Sequence, residues 1–526
     1  MFDAIVVGAG AAGVMAARAL AHKRVLLLDS GPRPVPPPDY PPDNLYDERR
    51  VHDLSELLIG ERFESLHNLH NRPISLKLKS PRLQYVIEGA QSLSPVSSTN
   101  FDAHMSFAAG GLANAWGAGV YRFDQRDLDG FPVTRAELDP FYDDLTSHIG
   151  ISGVNDDLVP SFGNDAGLQP PIELSRFAGD LLANYEQQRG AFKARGVQIG
   201  RARLAVLTQP HRGRRPYQYG NYEFFRPYEP AIYNPVYTLR ELLDSNQIFY
   251  EPDQLVLNYS ETEDGTRVRA KNLKTGEQQV FEARNLILAA GALNSGKLVL
   301  AANRDYEARL PLLDNPMTAL PLFRLNRFGQ KLDAHDSSLG QLVLLHEQAG
   351  SVLQASIYGS AGPLRSDILF GLPLSISANT GIVRRLAAAT GLMMMFYPAA
   401  PHLRNYLRLQ ADGTLDLNYG EPSAGGPARG VAEKELLSLL RKIGFYGTMA
   451  LCQYPPMGSS IHYAGTLPMQ ASPERYQLYP DGRLHGTRAV YVVDGACFPR
   501  LPAKNLTFTI MANAMRIASR LARSTE

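Results

Sequence analysis

The chain has 526 residues, 53 basic against 52 acidic, with 44% of residues hydrophobic and 20% charged. This is the composition of a globular protein large enough for two domains, or for one with a substantial insertion, and it excludes nucleic-acid binding through bulk charge. The two cysteines, Cys452 and Cys497, are too few for a disulfide scaffold and too far apart to suggest a metal site, so a cytoplasmic protein without a bound metal is expected.

Residues Phe2 to Val7 are apolar and β-branched, Gly8 to Gly13 form a glycine-rich turn, and Val14 to His22 carry alanine and leucine at helical spacing. The pattern predicts strand, turn and helix. This start lacks the basic residues and apolar core of a signal peptide and is read as the mature amino terminus. A second strand at Arg24 to Leu28, stopped by Asp29, completes a βαβ unit. Gly8, Gly10 and Gly13 spell G-x-G-x-x-G, and Asp29 follows the first glycine by about 20 residues, the spacing of a dinucleotide-binding fingerprint. The first glycine permits the tight turn, the second lets backbone approach a pyrophosphate, and the third packs helix on sheet. Ala12 lies in this turn among the cofactor-binding residues, the N–H groups of the helix amino terminus face the phosphates, and Asp29 with Ser30 is placed at the ribose. The motif alone leaves FAD and NAD both open.

Seven prolines between Pro32 and Pro42 predict a stiff, extended connection. Phe101 to Val120 is dense in small residues, has no period and holds the single tryptophan, Trp116, as suits a loop pressed against something flat. A helix is expected within Phe131 to Gly150, and a β-meander between Ile248 and Ala290 with turns at Glu263-Asp264-Gly265 and Lys274-Thr275-Gly276. Runs between Gln341 and Gly420, the last with an Asp-Gly hairpin signal, are expected to pair as one antiparallel sheet. Between two of them, residues 361–390 read as a crossover, a pocket lid or a membrane-touching surface. The apolar run Gly391 to Ala400 is about half the roughly 20 residues a bilayer span requires and ends in proline, so no transmembrane helix is expected. A strand at Val490 to Asp494 and an amphipathic helix at Phe508 to Arg523 close the chain.

Beyond the fingerprint, further segments occur in the order seen in one enzyme family: AAGGLANAWGAG at Ala108 to Gly119, NLILAAGALNSGKLVL at Asn285 to Leu300, SSIHYAGTLPM, and YVVDGACFPRLPAKNLTFTIMANAMRIA. Together they resemble the glucose-methanol-choline (GMC) oxidoreductases. The resemblance covers the FAD-binding parts well and the substrate-binding parts poorly. It implies an α/β protein: a Rossmann-like FAD-binding domain from residues 1–150, 196–305 and 471–526, and a substrate-binding domain on an antiparallel sheet from residues 151–195 and 306–470. Carried over by position, Gly110, Gly111, Asn114, Ala115 and Trp116 lie along the isoalloxazine and pyrophosphate, Leu255 and Val256 hold the adenine, and Ala290, Gly291 and Ser295 form the second signature. Asp494 and Gly495 contact the ribityl and phosphate region. Where some members attach FAD through a histidine this chain has Ala115, which implies non-covalent flavin. Tyr217, Tyr219 and Tyr222 stand where related proteins carry a cysteine cluster, which implies no iron–sulfur centre.

The implied activity is oxidation of an alcohol or a sugar hydroxyl by hydride transfer to the flavin, with dioxygen or another acceptor reoxidising it. His462 is the implied base and Asn505 the group that binds the alcohol oxygen. An unperturbed imidazole titrates near 6.5, so it is available as a base near pH 7, and an amide donates without titrating. Leu506 and Thr507 present the terminal helix's first N–H groups to the flavin, where they favour negative charge. Met393, Met394, Met395, Phe396 and Tyr397 form a candidate pocket segment for a moderately apolar alcohol. Two other readings stay open: an FAD-containing lyase of the same fold, and a flavin-binding accessory protein.

Overall fold

The structure, a computed structural model, describes residues 1–34, 76–219, 222–224, 226–333, 335–348, 350–360, 365, 373–420 and 427–524. Most of the proline-rich connection, from residue 35 on, therefore lies outside the described residues, as do 361–364 and 366–372 of the proposed crossover or lid.

The amino-terminal unit forms as its pattern demands. Strand β1 (Phe2–Val7) pairs in parallel with β2 (Val25–Leu28), and helix α1 (Ala11–Ala19) joins them. Four consecutive buried residues in each strand mark central strands covered on both faces. The sheet continues as β5 (Phe249–Glu251), β2, β1 and β8 (Gln278–Leu288), all parallel. On its far edge β8 is shared between partners: its first half pairs antiparallel with β7 (Gly265–Asn272), which pairs with β6 (Gln254–Thr262), and its last residues pair in parallel with β16 (Val490–Val492). The expected meander is thus present and fused to the nucleotide-binding sheet.

Between these come β3 (Val96–Ser97), helix α2 (Arg135–Ile149), helix α3 (Arg176–Gln187), β4 (Val197–Arg201) and helix α4 (Pro235–Asp244). A reciprocal capping box fixes the start of α2: the Thr134 hydroxyl accepts from the Glu137 N–H while the Glu137 carboxylate accepts from the Thr134 N–H. Helix α5 (Ala292–Asn303) follows β8 and is followed by β9 (Leu310–Pro311).

A five-stranded antiparallel sheet forms the second layer, in the order β10 (Met317–Phe323), β13 (Thr390–Phe396), β12 (Ser351–Gly359), β11 (Leu342–Gln348), β4. Two expectations are corrected here. The hairpin β14 (Tyr406–Leu409) and β15 (Leu415–Asn418) forms as its Asp-Gly turn predicts, but it joins β3 and β9 in a separate four-stranded sheet instead of the large one. Strand β4, inside the 196–305 stretch assigned to the FAD-binding part, pairs with β11 of the antiparallel sheet. Local pattern identifies a strand, but its neighbour is chosen by tertiary packing.

The antiparallel sheet buries one face on α3 and on helix α6 (Pro427–Lys442). Met393, Met395 and Tyr397 project into that core, whereas Met394 and Phe396 face the other way and line a cavity. The candidate pocket segment is therefore split by strand alternation, and Met393, Met395 and Tyr397 are removed from it. The terminal helix α7 (Thr507–Ser524) packs on α1 and α2. In the described part of residues 361–390 a helix at Ile376–Leu386 stands largely exposed, with Asn379 its buried residue. Among the described residues no helix is long and apolar enough to cross a membrane.

Candidate active site

A cavity of ≈ 730 Å³ runs from the glycine turn after β1 to the face of the antiparallel sheet. At one end, Gly8 adopts φ 102°, and a Cβ there would meet the Ala289 carbonyl oxygen at 2.6 Å. At Gly13 a Cβ would lie 1.8 Å from the Gly8 oxygen, which is the close helix–strand packing that the third fingerprint glycine serves. Gly10 differs from both: nothing lies within 4 Å of its would-be Cβ. Its open side, at the first turn of α1, is space that a pyrophosphate can fill.

Asp29 ends β2 beside this turn. Its two oxygens accept the N–H groups of Ala9 (2.6 Å) and Gly31 (2.8 Å), and burial nevertheless pushes its carboxyl up to about 6. The Ser30 hydroxyl donates to the Phe107 carbonyl, tying β2 to the glycine loop at Ala108 to Gly119. In that loop Gly110 (φ 90°) and Gly111 (φ 60°) turn the backbone, and the Gly110 N–H donates to the Ala9 carbonyl at 3.0 Å.

Most residues singled out in the sequence line this one cavity: Gly8, Gly10, Ala12, Asp29 and Ser30 at the turn, and Gly110, Gly111, Ala115 and Trp116 on the loop. Val256, Ala290, Gly291, Asp494, Gly495, Leu506 and Thr507 complete its wall, with His462 and Asn505 at the other end. Three are not in the wall. Gly13 is behind the turn, as its packing explains. Asn114 faces inward, donating to the Ala109 and Gly111 carbonyls and accepting from Asn234, so it braces the loop. Ser295 donates to Asp494 at 2.5 Å; the same carboxylate takes the N–H groups of Gly291 and Ala496, clamping the second signature to the chain's last strand.

At the chemical end, His462 sits in a loop held from below. Buried Asp314 accepts the Gly458 N–H at 2.6 Å and the Ser460 hydroxyl, and the Ser460 oxygen accepts the His462 N–H. Ile461, a β-branched residue, is held at φ 59° immediately before His462, a costly left-handed geometry of the kind that clusters at functional sites. The next residue after Asp314 orients the imidazole. Asn315, 1% exposed, donates its Nδ2 to the carbonyls of Tyr397 (2.7 Å) and Pro502 (3.0 Å), so its oxygen faces His462 Nδ1 at 2.9 Å. An acceptor there selects the tautomer with hydrogen on Nδ1 and leaves the Nε2 lone pair free. Phe396 stacks on the ring at 5.1 Å, and burial in this enclosed space lowers the imidazole pKa to about 4. The ring is therefore neutral at neutral pH, with the Nε2 lone pair unprotonated, and a weaker base than a free imidazole.

Asn505 lies in the segment just before α7. Its predecessor Lys504 is buried and donates to Asp127 at 2.5 Å and to the Ser161 carbonyl at 2.7 Å, anchoring the segment from behind. Asn505 Oδ1 accepts from Gln354 Nε2 at 2.9 Å, which turns the Asn505 NH₂ group toward the cavity. Met317, Leu392, Met394 and Phe396 make the adjoining wall apolar. Asn315 and Gln354 were not singled out in the sequence. The alternation of Gln354, Ser356 and Tyr358 on a strand whose other residues are core was the available signal for the second.

The backbone cradle, the acidic end of β2 and the open face at Gly10 fit a dinucleotide, and the chemical end has room and donors for a flavin ring beside an imidazole. Residues 448–514 match the family model described as GMC oxidoreductase, and this segment holds His462, Asp494 and Asn505. No curated protein sequence matches the chain. Among solved structures, the pyridoxine 4-oxidase from Mesorbium loti superposes over 100% of this chain and 99% of its own, with a TM-score of 0.58 at 13% identity, a likeness of fold. The carboxy-terminal segment is thus similar to the GMC oxidoreductases, the family that the ordered motifs resemble, and the whole chain shares the fold of a solved oxidase.

Proposed function

We propose that the protein oxidises an alcohol to a carbonyl compound, with His462 as the base and Asn505 as the hydroxyl-binding group. The observation that carries this is the complementary setting of the two side chains: one presents a nitrogen lone pair and the other an N–H to the same apolar end of the cavity.

FAD, held without a covalent link, would supply the hydride acceptor. The residues for it are Gly8, Gly10 and Ala12 at the pyrophosphate, Asp29 and Ser30 at the ribose, Val256 at the adenine, and the loop from Gly110 to Trp116 with Ala290, Gly291, Asp494 and Gly495 along the remainder. The rest of the chemistry belongs to the chain. Asn505 Nδ2 donates to the alcohol oxygen and fixes where the carbinol carbon points. His462 Nε2 takes the hydroxyl proton as the carbon–hydrogen bond breaks, and Asn315 Oδ1 steadies the imidazolium through Nδ1–H. The N–H groups at the start of α7, at Leu506 and Thr507, favour negative charge beside them. Met317, Leu392, Met394 and Phe396 exclude water and favour a moderately apolar primary or secondary alcohol over a sugar.

Anaerobic titration of the purified protein with primary alcohols, secondary alcohols and sugars tests this reading. Bleaching of the flavin absorbance by an apolar alcohol is the expected result, and recovery in air reports whether dioxygen is the acceptor. A flavin spectrum unmoved by every alcohol and sugar would overturn it.

A further inference from the structure

We propose that Gln354, on the central strand of the antiparallel sheet, is the positioning residue for Asn505 and thereby sets the donor that the site offers to the alcohol. The inference rests on the reaction proposed above. Strand β12 alternates strictly: Leu353, Ala355 and Ile357 enter the core below the sheet, while Gln354, Ser356 and Tyr358 face the other side. An amide at the middle of a five-stranded sheet, fully buried, is out of place unless it has a partner. Its partner is Asn505 Oδ1, 2.9 Å from Gln354 Nε2 and 151 residues away in sequence.

An asparagine side chain has one acceptor and two donor hydrogens, and an amide that rotates by half a turn exchanges them. With Oδ1 turned to Gln354, Nδ2 is the atom left to face the cavity. Without Gln354, Asn505 could present its oxygen to the alcohol oxygen and would compete with His462 for the hydroxyl proton. The Gln354 Oε1 atom has no hydrogen-bond partner, so the side chain is held in a buried site at the cost of one unsatisfied acceptor. The antiparallel sheet therefore supplies more than pocket walls: through one hydrogen bond it determines which face of the Asn505 amide the alcohol meets.

Two variants test this, each in the flavin-loaded full chain. Gln354→Leu removes the donor and keeps the bulk. The expected result is a fall of at least tenfold in the anaerobic bleaching rate at saturating alcohol, with the flavin spectrum retained, and a crystal structure in which the Asn505 amide has turned or left its position. Gln354→Glu supplies a donor only when protonated, so its bleaching rate is expected to fall as pH rises through the carboxyl's titration, a limb absent from the parent protein. A bleaching rate within twofold of the parent in Gln354→Leu, with Asn505 unmoved in the crystal, would overturn the proposal. So would a Gln354→Glu profile that parallels the parent's at all pH values. A parent protein that no alcohol bleaches would instead remove the underlying reaction, and the Asn505 position in the Gln354→Leu crystal would still report on the hydrogen bond itself.

Discussion

The two ends of the cavity are made from different material. At the glycine-turn end the lining is largely backbone: Gly8 and Gly10 of one turn and two glycines of a facing loop, beside the Asp29 carboxylate, already engaged with two N–H groups. At the other end the polar groups are side chains held by other side chains: His462 by Asn315, Asn505 by Gln354, and the loop beneath by Asp314. A backbone site is specified by the side chains it must lack. A side-chain site depends on pairs in which one atom is committed to the protein and the other is left for the substrate.

The comparison breaks most sharply at His462. Replacing His462 with Ala should lower the anaerobic bleaching rate by about 10²- to 10⁴-fold, the range for loss of a general base, while FAD stays bound. Loss of flavin together with activity would show that the ends are not separable.

Gly10→Ala probes the other end. Because nothing lies within 4 Å of the added Cβ, and Gly10 already has the extended geometry of a helix cap (φ −77°), folding stability should change by no more than about 1 kcal/mol. FAD affinity should fall at least tenfold, measured by flavin release on dilution, because the methyl group enters the pyrophosphate's space. Unchanged FAD affinity would displace the phosphate site from this turn.

A smaller effect sharpens the picture of the chemical end. His462 titrates near 4 when folded against about 6.5 when unfolded, so between those values the unfolded chain binds the extra proton. The contribution of this group to stability is complete above about 6.5 and is lost as pH falls toward 4. The bleaching rate should be level through the neutral range and decline only as pH approaches 4. Asn315→Asp places a negative charge on Nδ1–H, which raises the imidazole pKa and should move that acid limb toward neutral pH. A limb that stays in place would remove Asn315 from contact with the base.

This division also explains what was legible in the sequence. The strand, glycine turn and helix could be read directly, because the close backbone approaches at Gly8 and Gly13 leave glycine as the residue and their spacing follows from local geometry. His462 and Asn505 were reached through family resemblance, and cavity geometry then gave each a donor or acceptor sense. Asn315 and Gln354 were not found, since each pairs with a residue 147 or 151 positions away and no local period records that meeting. The run of methionines was visible but its faces were not: Met394 lines the cavity and its two neighbours fill the opposite core because of a register set by β10 and β12. For the same reason the Asp-Gly hairpin was recognisable while the sheet it joins was not.

The central claim is that an alcohol's hydride leaves its carbon in this cavity as His462 takes the proton. The most direct measurement is the rate of anaerobic flavin bleaching with an alcohol that reduces the enzyme, compared with the same alcohol carrying deuterium on the carbinol carbon. The account predicts slower bleaching with the deuterated alcohol in the parent protein, and far slower bleaching with either alcohol in His462→Ala. Equal rates for the two alcohols under conditions where bond cleavage limits bleaching, together with unimpaired bleaching in His462→Ala, would contradict it.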